Sequence, residues 1–299
     1  ANVVTGSLKT TGAEILTIVA NDDTNITFSA ANNASLNSVT LSGAAAVTIA
    51  TTDLATTTLS INGAAVTGAL AIDASGFLGT TSTITGSDGG DTLTGGASID
   101  TITGGLGADT ITGGAGADII ILTEATAAID TVIFTDASGD VVTGYSATDT
   151  ITIQDAGIAL ANGATDGTVV AVSLADALTA GTANDTVINL TQAVSAAAAT
   201  AIDTYQASSS GANLTALITA LVGSTGGGEA FDGGLHANLD DAGDITVFTV
   251  HSATDTVAFM YTAGAGAGTA DTTLEAAEVS IIGVFDSATT VTQADFTIV

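Results

Sequence analysis

The chain contains no cysteine, which excludes a disulfide framework, a thiolate metal site and a cysteine nucleophile together. It carries a single basic residue, Lys9, against 31 Asp and Glu, for a formal charge of −30. There is no positive footprint for nucleic acid or an anionic membrane surface. Nor is there a set of cations to clamp a phosphate or stabilise an oxyanion. Tryptophan is absent, methionine occurs once and aromatic residues make up 4%, so little is available for a thick globular core. No run approaches the ~18 apolar residues of a membrane span. No signal peptide is visible from Ala1 onward. A removed leader, membership of a longer protein, or export by another signal would each account for that.

What is present is apolar but small. Hydrophobic residues make up 46%, with Val, Ile, Leu and Thr abundant, so the composition is not that of a disordered chain. A length of 299 residues suits one large or two modest domains, and the side chains suit thin, repeated rungs. The acidic residues are spread along the whole length. Such a chain repels itself and resists folding until cations bind or salt screens it. Without disulfides, a metal is the obvious staple.

Repetition is strict in one segment. From Gly86 four nonapeptides follow without a gap: GSDGGDTLT, GGASIDTIT, GGLGADTIT and GGAGADIII. Asp recurs at 91, 100, 109 and 118, and an aliphatic residue at Leu93, Ile102, Ile111 and Ile120. Upstream, β-rich runs at Val39–Leu41, Val47–Ile49, Thr58–Ile61, Leu70–Ile72 and Ser82–Ile84 predict a looser form of the same architecture. Leu41, Ile61 and Ile84 recur at a spacing slightly longer than two nonapeptides. An independent β-sandwich is the alternative for this segment. Downstream, Asp130–Phe134 and Thr148–Ile153 read as strands.

Past residue 153 the pattern breaks. Strands are predicted at Val169–Val172, Thr186–Leu190, Ile245–Val250 and Thr256–Tyr261. A helix is predicted over 213–222, where Leu214, Leu217, Ile218 and Leu221 keep helical spacing before a Gly223 cap. Loops fall at Gly223–Gly228 and Ala263–Gly268. The expectation is a mainly β chain in three parts. Residues 1–85 form an irregular β-solenoid, 86–153 a more tightly coiled parallel β-roll, and 154–299 a β-rich carboxy-terminal domain with one or two helices.

The repeat chemistry follows from its spacing. A loop that turns this sharply needs Gly wherever φ is positive, and the short strand after it points one aliphatic residue inward. Two nonapeptides complete a coil, so equivalent residues of successive coils stack roughly 4.8 Å apart in space. Asp91 then lies over Asp109, and Asp100 over Asp118. Two carboxylates about 5 Å apart repel by nearly 1 kcal/mol in water and by roughly 3 kcal/mol at an effective dielectric of 20. A cation reverses the sign. Carboxylates with inward-turned loop carbonyls supply the hard oxygens that Ca²⁺ prefers, whereas Mg²⁺ wants a tighter octahedron and keeps its waters. The bland alternative is a series of solvated Asp-Gly turns.

These four repeats resemble the RTX, or hemolysin-type calcium-binding, repeat GGxGxDxUx. The stretch from Asp130 resembles the cap that follows such arrays. With the Ala/Thr-rich segment before it, the chain resembles the carboxy-terminal part of bacterial surface-layer proteins of the RTX class. The resemblance implies that Asp91, Asp100, Asp109 and Asp118 are calcium ligands. Carbonyls of Gly86, Gly95, Gly104, Gly113, Gly96 and Gly105 would complete the shells. Ser98 departs from the pattern, standing where the family has glycine, and is expected to adopt a strained φ. Ser87 replaces a glycine in the first repeat, and Asp88 would add a carboxylate. Asp130, Asp136 and Asp140 are candidates to close a terminal site.

No catalytic constellation is visible. HExxH, GxSxG and GxxxxGK are all absent, and the two histidines, His236 and His251, stand well apart in the sequence. The pairs Asp22/Asp23 and Asp240/Asp241 read as solvated loops before they read as glycosidase carboxylates or further calcium ligands. The expected function is a secreted, non-enzymatic structural protein that folds with calcium and assembles with copies of itself into a bacterial surface layer or extracellular filament. Cell-surface polysaccharide is a further candidate partner, and neither nucleic acid nor membrane insertion is expected. By resemblance export is type I, and the end of the chain, QADFTIV, has the acidic and apolar character of such a signal. A calcium-stabilised adhesin or carbohydrate-binding module is the rival, as is the non-catalytic tail of an RTX exoprotein. With Lys9 its only cleavage point, the chain should survive trypsin even unfolded.

Overall fold

The computed structural model describes residues 4–7, 12, 14–154, 169–170, 187–193, 196–222, 245–262, 279–286, 291 and 295–298. Lys9, His236, Asp240, Asp241, the Gly223 cap and the loops at 223–228 and 263–268 lie outside the described residues. So do 171–172 and 186 of the expected strands, and Gln293, Ala294 and Val299 of the final QADFTIV. The chain divides into two compact units, residues 1–134 with 142–150, and 135–141 with 151–299.

The first unit is a coil of short strands that alternate between two parallel sheets. In chain order they are β1 (Val4–Ser7), β2 (Ile15–Ala20), β3 (Thr24–Ser29), β4 (Ser38–Gly43), β5 (Val47–Thr52), β6 (Thr58–Val66) and β7 (Leu70–Asp73). Then follow β8 (Thr81–Thr85), β9 (Thr92–Gly96), β10 (Ile99–Thr103), β11 (Thr110–Gly114), β12 (Ile119–Ile121), β13 (Thr131–Phe134) and β14 (Asp140–Thr143). One sheet takes the odd strands β1-β3-β5-β7-β9-β11-β13 in order, and the other the even strands β2-β4-β6-β8-β10-β12 in the same manner. A short helix, α1 (Ala30–Asn33), interrupts one early corner. The mainly β solenoid and roll expected from the sequence is the fold observed.

Strand pairing shows where the coil changes gauge. In the early coils Ile15 pairs with Ser38, and Thr58 with Thr81, a step longer than two nonapeptides. Between β8 and β12 the step shortens to two nonapeptides: Thr81 pairs with Ile99, and Thr92 with Thr110. The extra residues of the early coils carry corner side chains such as Leu36, Leu54 and Phe77, all buried. The glycine loops of the later coils have none to bury. That is why the tight gauge appears only where the nonapeptides begin.

Each coil contributes one inward aliphatic residue per sheet, and these residues stack. One column runs Ile26, Ile49, Ile72, Leu93, Ile111 and Val132. The other runs Leu16, Val39, Ile61, Ile84, Ile102 and Ile120. Val39, and not Leu41, is therefore the partner of Ile61. Leu41 lies two residues further along β4, where it pairs with Ile18, and the register of β4 against β6 shifts between Thr40 and Ser42. From Val39 and Ile49 onward, every member of the two columns is at most 1% exposed. Fully burying such a side chain stabilises by roughly 1.5–3 kcal/mol, so the columns are the main cohesive force of the unit.

The second unit has a different construction. Its described strands are β15 (Thr150–Ile153), β16 (Val169–Val170), β17 (Val187–Ala193), β18 (Ile245–His251), β19 (Asp255–Thr262), β20 (Val279–Asp286) and β21 (Phe296–Ile298). β18 and β19 pair antiparallel, as do β19 and β20, while β17 pairs parallel with β18. Two helices, α2 (Ala196–Ala207) and α3 (Gly211–Val222), supply Ile202, Tyr205, Leu217 and Leu221 to a core with Val250, Val257, Phe259 and Ile281. Leu214 and Ile218 of the expected stripe pack on it from the rim. Among the described residues no helix is long and apolar enough to cross a membrane.

Candidate metal centre

The chemistry concentrates on buried aspartates at the strand starts of the tight coils. Asp91, Asp100, Asp109 and Asp118 are each at most 2% exposed. They stack as their spacing requires. The Asp109 Oδ1 accepts the backbone N–H of Asp91 at 2.8 Å, and the Asp118 Oδ1 accepts that of Asp100 at 2.8 Å. Each column continues beyond these pairs. Asp91 Oδ1 takes the N–H of Leu70 at 2.7 Å, and Asp100 Oδ1 that of Ser82 at 3.0 Å. Asp130 Oδ1 takes the N–H of Asp109 at 2.8 Å, and Asp149 Oδ1 that of Asp130 at 3.0 Å. One carboxylate oxygen per coil thus replaces a strand partner, leaving the other to the loop.

The second oxygen faces the glycines. Asp91 Oδ2 accepts the N–H of Ser87 at 2.6 Å, and Asp100 Oδ2 that of Gly96 at 2.6 Å. The first glycine of each repeat borders this oxygen. A Cβ on Gly86 would stand 2.7 Å from Asp91 Oδ2 and would also strike the Gly104 carbonyl. On Gly95, Gly104 or Gly113 it would collide with the Oδ2 of Asp100, Asp109 or Asp118. The second glycines, Gly105 (φ +115°) and Gly114 (φ +109°), lie against the carbonyls of Ser87 and Gly96 one coil earlier. Glycine therefore lets carboxylate and carbonyl oxygens of successive loops approach the backbone more closely than a side chain would allow. A set of hard oxygen donors brought together in this way fits Ca²⁺.

The four loops are not equivalent, and one expectation is corrected. Ser98 is not in the left-handed region; among the described residues Asp53 (φ 51°) is the only non-glycine there. The loops of the third and fourth repeats each use two left-handed glycines, Gly105 with Gly107 and Gly114 with Gly116. The second loop uses neither position: Gly96 also avoids positive φ, and β10 starts already at Ile99, so Ser98 escapes strain by another path. Its hydroxyl donates to Asp100 Oδ1 at 3.1 Å. Ser87 plays a similar part in the first loop, its Oγ lying 2.9 Å from Asp91 Oδ1 and accepting the N–H of Gly89 at 3.0 Å.

Burial is hard on these charges. It raises the pKa of Asp91 from 3.8, against hydrogen bonds from Leu70 and Ser87 that lower it. Asp109 is pushed up to about 7, first by burial and then by repulsion from Asp91, Asp130 and Glu124, with the Asp91 N–H opposing. Asp130 reaches about 6 by burial and by repulsion from Asp149 and Glu124, again against a backbone hydrogen bond. Among the described residues no three His, Asp or Glu side chains are grouped closely enough to hold a metal alone. Backbone carbonyls must therefore provide most of any coordination shell in the array.

The remaining candidates are dispersed. Asp88 is exposed at the tip of the first loop. Asp136 accepts the N–H of Ser138 within its own turn. Asp140 is buried at the start of β14. Sequence reasoning missed Asp149, 3% exposed, whose Oδ2 accepts the Ser146 N–H at 2.7 Å. Its signal was the tetrapeptide DTIT at 149–152, identical to 100–103 and 109–112. It also missed Glu124, which accepts the N–H of Gly107 at 3.2 Å and that of Ala128. Away from the coils, His251 Nδ1 hydrogen-bonds Thr256 Oγ1 at 2.8 Å, and burial lowers its pKa. Asp255 beside it ties the turn, accepting from Ser252, Thr254 and Gln206.

Comparison with known proteins agrees with this geometry. The family described as RTX calcium-binding nonapeptide repeat (4 copies) matches residues 85–120. No curated protein and no solved structure matches the chain. The matched residues are the tight coils, from the end of β8 into β12, and such repeats bind Ca²⁺. Residues 85–120 are thus an array of RTX-type calcium-binding repeats.

Proposed function

We propose that the protein is a secreted, non-catalytic structural component that calcium folds and that assembles with copies of itself at a bacterial surface or in an extracellular matrix. The observation that carries this reading is the buried aspartate stack within a chain of net charge −30. Where calcium is scarce, stacked carboxylates and diffuse self-repulsion oppose the compact state. Where it is abundant, binding to the folded form alone adds RT ln(1 + [L]/Kd) per site to stability. Proteins with these repeats are typically secreted, which sets this switch across the step from low to high calcium. Asp91, Asp100, Asp109 and Asp118, with carbonyls of the loops 86–91, 95–100, 104–109 and 113–118, would hold the ions.

Assembly is supported by the start of the solenoid. Among the described residues β2 ends its sheet, and its Ile15 and Val19 are 69% and 62% exposed. Exposed apolar side chains of this kind suit contact with another copy of the chain. The test is to add millimolar calcium to purified, EGTA-treated chain while following strand content by circular dichroism, then to image the product. Strand formation followed by ordered sheets or filaments is expected. Folded protein that stays monomeric would overturn the assembly part, and a fold indifferent to EGTA would overturn the calcium part.

A further inference from the structure

Beyond the fourth repeat the first unit contains a cavity of about 240 Å³, lined among others by Thr123, Glu124, Asp130, Ser146 and Asp149. It lies outside the residues that match the repeat family, which end at 120. Three carboxylates border it, two from the β12–β13 connection and one from the 144–149 turn, in a chain with a single Lys or Arg. The crucial one is Asp130, only 3% exposed. Its Oδ1 is engaged by the Asp109 N–H, but no donor among the described residues reaches its Oδ2. Asp91, Asp100 and Asp149 each have a backbone N–H on the equivalent oxygen, whereas Asp109, a ligand candidate of the array, resembles Asp130 in having no donor there among the described residues. Gly144 (φ +83°) brings the 144–149 turn against Thr123: a Cβ there would stand 2.6 Å from Thr123 Oγ1.

We propose that this cavity is a further calcium site, with Asp130 Oδ2 as its direct protein ligand and Glu124 and Asp149 as flanking carboxylates. The lining offers oxygen donors and neither sulfur nor imidazole, which selects a hard cation. The carboxylates do not close into a compact three-ligand cluster, so the ion keeps several waters, for which the cavity has room. Glu124 also accepts the N–H of Gly107 in the third repeat loop. An ion here therefore ties the segment after the array to the array, and closes the last coil as the repeats close the earlier ones.

The experiment counts calcium on the full chain by equilibrium dialysis, with circular dichroism on the same samples. D130N, which keeps the Oδ1 acceptor for Asp109, is expected to bind one calcium fewer than the wild type. E124Q is expected to weaken one class of sites on the order of tenfold, since affinity follows ligand charge. D118N, in the other aspartate column, should lower the array's own calcium binding while the E124Q-sensitive ion remains. Should D130N fail to fold, E124Q, a milder change on the rim, carries the test. Calcium binding by D130N and E124Q equal to wild type would overturn this site while leaving the array's sites standing. A wild-type chain that binds no calcium would overturn both.

Discussion

Protons and calcium should compete for the aspartate stack, with a sign that the structure fixes. In the folded, metal-free chain Asp109 is raised from 3.8 to about 7, facing Asp91, Asp130 and Glu124, and Asp130 is raised to about 6, facing Asp149 and Glu124. A carboxyl with a raised folded-state pKa binds its proton more tightly folded than unfolded. Its contribution to stability is complete below the unfolded value near 4 and is lost as pH rises through 6 and 7. At about 1.4 kcal/mol per pKa unit, the two groups amount to at most roughly 7 kcal/mol. Water reaching the loops and the shared repulsion, counted in both groups, reduce this to on the order of 3 kcal/mol. Against a typical total stability of about 5–15 kcal/mol, that is decisive. Urea unfolding followed by circular dichroism in EGTA should therefore show a chain markedly more stable at about pH 5 than at about pH 8. Saturating calcium should abolish or reverse that slope, and calorimetry near neutral pH should detect protons released as calcium binds. A metal-free chain as stable at the higher pH, or calcium binding without proton release, would refute the reasoning.

G104A places a Cβ in collision with Asp109 Oδ2 and 3.4 Å from Ile111 Cδ1. It should weaken calcium binding and cost about 1–3 kcal/mol in calcium-loaded melts, whereas G211A, with nothing within 4 Å of its Cβ, should stay within about 0.5 kcal/mol of wild type. I111A removes a fully buried side chain stacked between Leu93 and Val132 and should cost about 2–5 kcal/mol by urea unfolding. S98G deletes the hydroxyl on Asp100 Oδ1 and should destabilise the metal-free chain by about 1 kcal/mol. A stabilising S98G would instead mean that Ser98 is strained.

Much of the site was legible because the nonapeptide is a local code. Position six of each repeat is Asp, position eight is aliphatic, and a period of nine places both in the same environment every coil. The code weakens where its glycines stop. Asp130 and Asp149 continue the Asp91–Asp109 column at unequal steps, each longer than the two nonapeptides that separate Asp91 from Asp109, so no fixed period finds them. Glu124 lies in no repeat and meets the loop of Gly107 only because the chain turns back. Ser98 was misread for the complementary reason. Its place in the motif demands a left-handed residue only if the whole loop follows the motif's path, and this loop does not.

By itself the sequence determined the fold class, the gauge of the tight coils, the stacked aspartates and the preference for a hard cation. Each of these depends on residue type and on spacing within one or two coils. Only the tertiary structure decided that Val39 and not Leu41 joins the aliphatic column. It also decided which carboxylate oxygens backbone N–H groups already satisfy, and that Asp130 borders a cavity with its Oδ2 not taken up by a donor. Those outcomes depend on register between coils and on segments of unequal length returning to one place, which local pattern does not encode.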